Sequence, residues 1–388
     1  MYTTKTTRHM KSLRSILLLC LLSIFSWTTF AQTGEESREL FSTPLFKRGD
    51  NGYFCFRIPA IIRTPSGALL AFAEARKNSC SDTGKIDLVV RRSDDNGKSW
   101  SEMRIVWSDN QNVCGNPAPV VEQQTGRILL LSTWNLGSDT EKEIVTGTSQ
   151  DTRRVFVLYS DDDGQSWSRP REITSDVKAS SWSWYATGPC HAIQLYQKPY
   201  KGRIVVPTNH SQGNRTYSQV IYSDDAGESW QLGGIVFQPG GNESTVTELR
   251  NGDLLLNMRC VNRKENRSRA YAISHDGGES WEPMQYAPQL IEPVCQGSIL
   301  NYSRSGKPSR TLLFSNPSSE TKRINMTVKR STDSGKSWEE AVSVYSGPSA
   351  YSDMAILPNG DVALLYECGE KSPYETITLT ILPARYFK

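Results

Sequence analysis

Six short apolar runs, each close after a turn glycine, dominate the pattern of hydrophobic and polar positions along the chain. They are apolar on both faces of an extended strand and only four to seven residues long, which is typical of strands buried on both sides. No stretch shows a sustained 3.6-residue period, so we expect little helix. The runs follow Gly67, Gly126, Gly202, Gly252, Gly306 and Gly360.

A polar octet of the form Ser-x-Asp-x-Gly-x-Ser-Trp occurs five times between these runs. We expect each octet to form a hairpin turn, in which the Asp accepts backbone N–H bonds across the bend and the Gly adopts a positive φ. The Trp is expected to begin the next strand and to pack under the turn. The copies span residues 93–100, 160–167, 223–230, 274–281 and 331–338.

The spacing of the two repeats predicts the architecture. The octets start 67, 63, 51 and 57 residues apart, and a period near 50 residues indicates a propeller or solenoid. The first five apolar runs are each followed, 21 to 34 residues later, by an octet. We therefore predict an all-β fold, a six-bladed β-propeller. The segment Leu40–Phe46 is placed to complete the last blade and close the ring.

The N-terminal segment predicts export. Four Lys or Arg residues precede the apolar run 16–25, and Ala31 offers a small residue at a cleavage position. This run is too short to span a bilayer, so we interpret residues 1–31 as a signal peptide and residues 32–388 as a single domain without an integral membrane segment. We expect the protein to be periplasmic or secreted.

Charge and cysteine content exclude several function classes. The formal net charge of +3 falls to −1 once the four leader cations are removed, so no electrostatic argument supports nucleic-acid binding. The seven remaining cysteines lack CxxC spacing. We expect them to be mostly buried small hydrophobic residues with one or two disulfides, and we predict no zinc site, metal or other cofactor.

Charged residues follow or interrupt several apolar strands, which we interpret as inner strands of the propeller. Examples are Arg57, Glu74, Arg76, Arg259 and Glu367. An ion pair with a neighbouring acid accounts for any one of these arginines, because an unpaired buried guanidinium is costly. Several arginines converging on one axis would repel one another unless an anion lay among them. Since guanidinium groups bind carboxylates through two parallel hydrogen bonds, we expect an anionic ligand.

Several motifs in combination carry a family resemblance. They are Phe56–Pro59, the octets, Ile86–Arg92, Asn257–Arg259 and Ala350–Asp353. Together they resemble exo-sialidases (neuraminidases) of the bacterial and animal type, in which the octets are known as Asp boxes. The resemblance covers nearly all of residues 32–388. It implies an exo-α-sialidase that hydrolyses terminal sialic acid from glycans, glycoproteins or glycolipids with retention of configuration.

The resemblance also implies roles for individual arginines. Arg57, Arg259 and Arg323 would form a triad on the sialic acid carboxylate, and Arg76 would contact the sugar near its C4 hydroxyl. Arg323 is identified by its distance after Phe314-Ser-Asn-Pro317, with Arg330 close by in sequence.

Three further residues match the reacting groups of the family. Tyr351 would be the nucleophile, Glu243 the carboxylate that activates it, and Asp82 the acid/base. A neutral Tyr avoids the repulsion that a carboxylate nucleophile would meet at an anomeric carbon already bearing a carboxylate. To protonate the leaving oxygen, Asp82 is expected to have a raised pKa.

One segment departs from the family pattern, and some alternatives stay open. Where many members have a glycine-rich segment, this chain has Gly188-Pro-Cys-His-Ala192, so the shape of the pocket wall is open. Of Trp182, Trp184 and Tyr185, at least one is expected in the blade core, and the others could cover the N-acetyl group. His191 and His210 are expected to be structural.

The alternative functions are transfer to another sugar, intramolecular transfer, another nonulosonic acid substrate, or a non-catalytic glycan-binding propeller. We expect a monomer.

Overall fold

The computed structural model describes residues 40–262, 264 and 266–388, and the predicted signal peptide lies outside them. These residues form 24 strands and little helix, which confirms the all-β prediction. The helical elements are α1 (Glu141–Thr146), α2 (Thr174–Val177) and two 3₁₀ turns, Asp50–Gly52 and Ala384–Phe387.

The strands are arranged as six antiparallel blades in chain order, which confirms the six-bladed propeller. The first strand, β1 (Phe41–Lys47), belongs to the last blade. Blade 1 contains β2 (Cys55–Arg63), β3 (Leu69–Arg76), β4 (Ile86–Ser93) and β5 (Arg104–Trp107). Blade 2 contains β6 (Val113–Val121), β7 (Ile128–Asn135), β8 (Arg154–Ser160) and β9 (Arg171–Glu172). Blade 3 contains β10 (Tyr185–Thr187), β11 (Ile193–Gln194), β12 (Ile204–Gln212), β13 (Arg215–Ser223) and β14 (Gln231–Ile235).

The last three blades repeat the same order. Blade 4 contains β15 (Gly241–Glu248), β16 (Leu254–Cys260), β17 (Ser268–Ser274) and β18 (Gln285–Ile291). Blade 5 contains β19 (Ser298–Asn301), β20 (Leu312–Pro317), β21 (Ile324–Ser331) and the first half of β22 (Glu339–Ile356). Blade 6 contains the second half of β22, β23 (Val362–Cys368), β24 (Thr376–Leu382) and β1.

The N-terminal strand closes the ring. Strand β1 pairs antiparallel with β24, from Phe41 opposite Ile381 to Lys47 opposite Thr376. This confirms the prediction that the segment beginning at Leu40 completes the last blade. The last blade is therefore built from strands at both ends of residues 40–388.

The Asp boxes form the predicted turns. In the first box, Asp95 Oδ1 accepts the backbone N–H of Ser99 at 2.8 Å, and Gly97 has a φ of 87°. Ser93 Oγ accepts the N–H of Gly97, and the indole N–H of Trp100 donates to the carbonyl of Gly97. The same Asp-to-Ser bond recurs in all five boxes. The boxes therefore act as scaffold turns.

The apolar runs are the second strands of the blades and not the inner ones, which corrects our interpretation. The strands β3, β7, β12, β16, β20 and β23 carry these runs and are almost wholly buried. The strands around the axis precede them, since β2 contacts both β6 and β22, and β15 contacts β19.

One buried carboxylate joins four blades at the axis. Asp353 on β22 accepts the backbone N–H groups of Ile61 and His191, each at 2.9 Å. It also accepts the Ser298 hydroxyl at 2.7 Å and lies 2.6 Å from His191 Nδ1. Although burial lowers the pKa of His191, the charge of Asp353 raises it overall. His191 is therefore structural, as predicted.

The cysteines follow the prediction of buried residues with few bridges. Cys55 and Cys80 form a disulfide, and the side chains of Cys114, Cys190, Cys260, Cys295 and Cys368 are buried thiols. None of the helices in the described residues has the length and apolar character needed to cross a membrane.

Candidate active site

Irregular inner strands aim side chains into one mouth of the propeller. The register of β2 shifts between Arg57 and Ala60, that of β15 between Gly241 and Ser244, and that of β22 between Ser349 and Ser352. Such bulges bend a strand and redirect its side chains, and they are common beside active sites. Arg57, Glu243 and Tyr351 lie on these three irregularities. The bulges therefore bring residues from blades 1, 4 and 6 to one place.

Tyr351 and Glu243 are in direct contact. The Tyr351 hydroxyl lies 2.7 and 2.8 Å from the two carboxylate oxygens of Glu243, and both residues are buried. Burial and the charge of Glu243 raise the pKa of Tyr351 well above its ordinary value. The phenol is therefore neutral, and its proton points at a base.

Arg259 completes this cluster. Its Nη1 donates to Glu243 Oε2 at 2.6 Å and to the Tyr351 hydroxyl at 3.0 Å. The guanidinium thus contacts both the phenol and the carboxylate. It lies near the end of β16, the second strand of blade 4, beside the inner strand that carries Glu243.

Arg57 is held by a buried carboxylate behind the site. Its Nε and Nη2 donate to the two oxygens of Glu367 at 3.0 and 3.2 Å. Glu367 also accepts the backbone N–H groups of Ile58 and Tyr351 at 2.9 and 3.2 Å. Ile58 has a φ of 60°, a strained value for a β-branched residue, and the hydrogen bond to Glu367 stabilises it.

Arg323, and not Arg330, lies at the mouth. Its Nη1 donates to the Tyr374 hydroxyl at 2.8 Å, and its guanidinium carbon lies 5.5 Å from the centre of the Tyr351 ring. Arg57 lies 5.0 Å from the same ring. Arg330 instead pairs with Glu339 on the outer part of blade 5. The structure therefore gathers Arg57, Arg259 and Arg323 around one phenol.

Asp82 lies on the loop between β3 and β4, paired with Arg76. Arg76 Nη2 is 2.6 Å from both Asp82 Oδ1 and Glu74 Oε2, and the Asp82 side chain is 55 % exposed. Burial raises the pKa of Asp82, but the charges of Arg76 and Arg57 more than offset this and lower it. The prediction of a raised pKa is therefore wrong, because it did not include the cation that holds Asp82.

The predicted residues line one cavity of about 680 Å³. Its lining contains five arginines, at positions 57, 76, 153, 259 and 323, and the carboxylates of residues 74, 82, 141 and 243. The described lining thus has one formal positive charge in excess, and the three arginines around Tyr351 are concentrated on one side. This distribution suits a ligand whose negative charge lies at one end.

Two charged cavity residues were not found from the sequence. The Arg153 guanidinium lies 4.0 Å from the Trp184 ring and donates to Asn135 at 2.6 Å and to Asn116. Burial lowers its pKa to about 10. Glu141, the first residue of α1, also lines the cavity. Both come from loops of blade 2, where no motif marks them.

The aromatic residues of blade 3 divide between cavity and core. Trp184 lines the cavity, whereas Trp182 and Tyr185 belong to the hydrophobic core, as predicted for at least one of the three. His210 stacks on Trp182 with ring centres 3.5 Å apart, and burial lowers its pKa to about 4. His210 is therefore part of the blade interior, as predicted.

The segment that departs from the family pattern lies beneath the cavity. The Gly188 carbonyl accepts the N–H of Ser244, and the Pro189 carbonyl accepts Gln296 Nε2. Cys190 is fully buried. None of residues 188–192 lines the cavity, so this segment does not form part of its wall.

The described residues contain no group of three or more His, Cys, Asp or Glu side chains placed to hold a metal ion.

Comparison with known proteins gives consistent matches. Residues 67–364 match the BNR repeat-like domain family. The chain is 32 % identical to Sialidase-3 of Mus musculus over 87 % of this chain and 93 % of that protein. It is 30 % identical to a Sialidase of Bacteroides fragilis over 82 % of this chain and 61 % of that protein. Among solved structures, the Hadza microbial sialidase Hz136 superposes with a TM-score of 0.80 at 30 % identity, covering 90 % of this chain and 69 % of that one.

Proposed function

The chain belongs to the sialidase family, and on that premise we propose how its residues hydrolyse a terminal sialic acid. The protein is an exo-α-sialidase, a glycoside hydrolase that acts on sialylated glycans. Tyr351 is the nucleophile, Glu243 its base, and Asp82 the general acid and then the general base.

The arginine cluster binds the carboxylate of the substrate. The Glu367 pair does not use Arg57 Nη1, and the guanidinium groups of Arg57 and Arg323 lie 5.0 and 5.5 Å from the centre of the Tyr351 ring. Bidentate contacts from such guanidinium groups fix a carboxylate in position and in orientation. The anomeric carbon, which bears this carboxylate, is thereby brought over the Tyr351 hydroxyl.

The first step forms a covalent intermediate. Tyr351 Oη attacks the anomeric carbon and transfers its proton to Glu243, while Asp82 gives its proton to the departing glycosidic oxygen. In the second step Asp82 removes a proton from water, which attacks the anomeric carbon and releases Tyr351. The Tyr351 oxygen regains its proton from Glu243. Two displacements at one carbon give retention of configuration.

Burial favours this division of roles. The neutral Tyr351 does not repel the anionic substrate, and it becomes nucleophilic only as its proton moves to Glu243. Arg259 contacts both residues and stabilises the negative charge that passes between them. The half-exposed Asp82 lies where a leaving group and then water can reach it, and because its pKa is lowered it acts as an acid through the fraction that is protonated.

The single observation that supports the proposal best is the contact between Tyr351 and Glu243, from blades 6 and 4, inside a ring of three arginines. Side chains 108 residues apart in sequence meet here in a buried pair. A scaffold alone has no need of a tyrosine and a glutamate surrounded by guanidinium groups.

Incubation with an aryl α-sialoside, followed by NMR over time, tests the proposal. We expect α-sialic acid as the first product, which then mutarotates to the β-anomer. β-sialic acid as the first product would contradict retention, and an anhydro sugar would indicate intramolecular transfer. A protein that cleaves no sialoside would contradict the proposal as a whole.

We also propose that the protein is exported and that the mature protein is a monomer. The features of residues 1–31 and the disulfide between Cys55 and Cys80 support export, because disulfides persist in oxidising compartments. N-terminal sequencing of the mature protein and its light-scattering mass test both points. A mature chain that retains residues 1–31, or a mass of two chains, would contradict them.

A further inference from the structure

The disulfide joins the two segments that carry Arg57 and Asp82. Cys55 begins β2 and precedes Arg57 by two residues, and Cys80 lies in the loop after β3 and precedes Asp82 by two residues. The bond therefore connects the inner strand of blade 1 to the loop that carries the proposed acid. Cys55 is fully buried, so this end of the bond is fixed in the core.

The loop itself, residues 77–85, has few other internal constraints. The bond from Lys77 N–H to the Lys85 carbonyl closes its base at 3.0 Å, and Gly84 N–H donates to the Gly137 carbonyl at 2.8 Å. At its tip, the Ser81 backbone N–H donates to Ser79 Oγ, and the hydroxyl groups of Ser81 and Thr83 share a hydrogen bond. Residues 77–79, 81 and 82 are exposed. Exposed loops held by few bonds open readily unless they are tied down.

The disulfide and Arg76 act on the same part of the loop. Arg76 Nη1 donates to the Cys80 carbonyl at 2.5 Å, and Arg76 Nη2 lies 2.6 Å from Asp82. Glu74 holds this guanidinium from behind through Nε and Nη2. The backbone at Cys80 is therefore fixed by a covalent bond and a charged hydrogen bond, and Asp82 follows two residues later.

We propose that Cys80, through its disulfide to Cys55, is a positioning residue for acid catalysis, which holds Asp82 at the distance that proton transfer to the leaving oxygen requires. This inference rests on the proposed role of Asp82. Blade 1 is also held by the strand ladder from β2 to β4, so we expect its fold to survive the loss of the bond. Misplacement of a reacting group by about 1 Å can cost roughly 100-fold in rate.

Leaving-group dependence distinguishes this role from a structural one. A lactose leaving group needs a proton from Asp82 as the bond breaks, whereas a nitrophenolate departs without one. Loss of the disulfide should therefore slow cleavage of 3′-sialyllactose more than cleavage of 4-nitrophenyl α-sialoside. A general loss of structure would reduce both rates by the same factor.

The experiment compares the wild type, Cys55→Ala/Cys80→Ala and Asp82→Ala on these two substrates. For the double variant we expect kcat/KM to fall about 10- to 100-fold on sialyllactose and less than about threefold on the aryl sialoside. Asp82→Ala should show the same dependence with a larger loss. Reducing the wild type with dithiothreitol, which supplies two electrons and two protons to the disulfide, should reproduce the effect. The double variant, which serves as the matched control, should not respond to the reductant.

Each outcome decides between the two proposals. Four results would overturn this inference alone. They are equal losses on both substrates, no loss on either substrate, a peptide map without the Cys55–Cys80 link, and unfolding of both the double variant and the reduced wild type. If the double variant is unfolded but the reduced wild type is folded, the two rates of the reduced enzyme decide. If Asp82→Ala shows no leaving-group dependence, the proposed role of Asp82 fails, and the inference fails with it.

Discussion

Replacing Glu367 by Gln removes a negative charge that joins two parts of the active site. Each oxygen of this carboxylate accepts two N–H groups: one takes those of Arg57 Nε and Ile58, and the other takes those of Arg57 Nη2 and Tyr351. An amide has one oxygen, so either orientation of Gln turns its NH₂ group towards two of these four donors. The side chain is completely buried, so water cannot replace the lost acceptor.

The structure gives the size of the effect. Two unsatisfied buried donors cost about 1–3 kcal/mol each, and breaking a buried ion pair costs about 3–5 kcal/mol. We therefore expect Glu367→Gln to lower the free energy of unfolding by about 3–5 kcal/mol. Because Arg57 and the backbone of Tyr351 both lose a partner, kcat/KM for an aryl sialoside should also fall at least about tenfold.

Denaturant unfolding and steady-state kinetics of the same preparation measure both effects. Glu102→Gln is the matched control, since Glu102 is exposed and does not line the cavity. The control should differ little from the wild type. If Glu367→Gln is as stable as the control and retains its kcat/KM within twofold, Glu367 does not hold Arg57 and Tyr351 in position.

Three further predictions concern charge. Arg259→Lys should raise KM for the sialoside about tenfold or more, because an ammonium cannot bind a carboxylate through two parallel bonds; an unchanged KM would remove Arg259 from carboxylate binding. Arg76→Gln should move the basic limb of the kcat/KM–pH profile to higher pH, because losing the cation raises the pKa of Asp82 and keeps this acid protonated at higher pH. A basic limb that stays in place or moves to lower pH would contradict this prediction. Asp162→Asn should lower the free energy of unfolding at pH 7 but hardly at pH 2. Hydrogen bonds from Ser166 lower the pKa of Asp162 to about 2, from about 3.9 in the unfolded chain. The contribution of the carboxylate to stability is therefore present above pH ~4 and is lost as the pH falls through about 2. Denaturant unfolding of the wild type and the variant at the two pH values measures this loss of stability. An equal difference between the two proteins at pH 7 and pH 2 would contradict the prediction.

Much of the fold could be predicted because its signals are local and repeated. The Asp of each octet bonds residues of its own turn, so five copies predict five hairpins without any knowledge of distant contacts. Apolar runs that are buried on both faces likewise predict one central strand in every blade, although these strands are the second of each blade and not the inner ones.

The bulges and the charge partners depend on distant contacts. Ile58 keeps its positive φ with the help of Glu367, which lies 309 residues away in sequence. Nothing in the local sequence of Phe56–Pro59 predicts that partner. The disulfide between Cys55 and Cys80 is similar, because seven cysteines allow many pairings and only the folded blade selects one.

The error about Asp82 has the same origin. The acid/base role of Asp82 led us to expect a raised pKa, but the sign of a pKa shift depends on which charges lie nearby. Arg76 is six residues away in sequence and could have been considered, yet its guanidinium reaches Asp82 only because the loop folds back over β3.

The most direct test of the mechanism is to identify the residue that becomes bonded to the sugar. A 2,3-difluorinated sialic acid carries a good leaving group, and its second fluorine slows hydrolysis of the glycosyl-enzyme. After brief incubation and digestion, mass spectrometry should locate the sugar on Tyr351, and Tyr351→Phe should remain unlabelled while still folded. A label on Asp82 or Glu243, or a fully labelled Tyr351→Phe variant, would contradict the account.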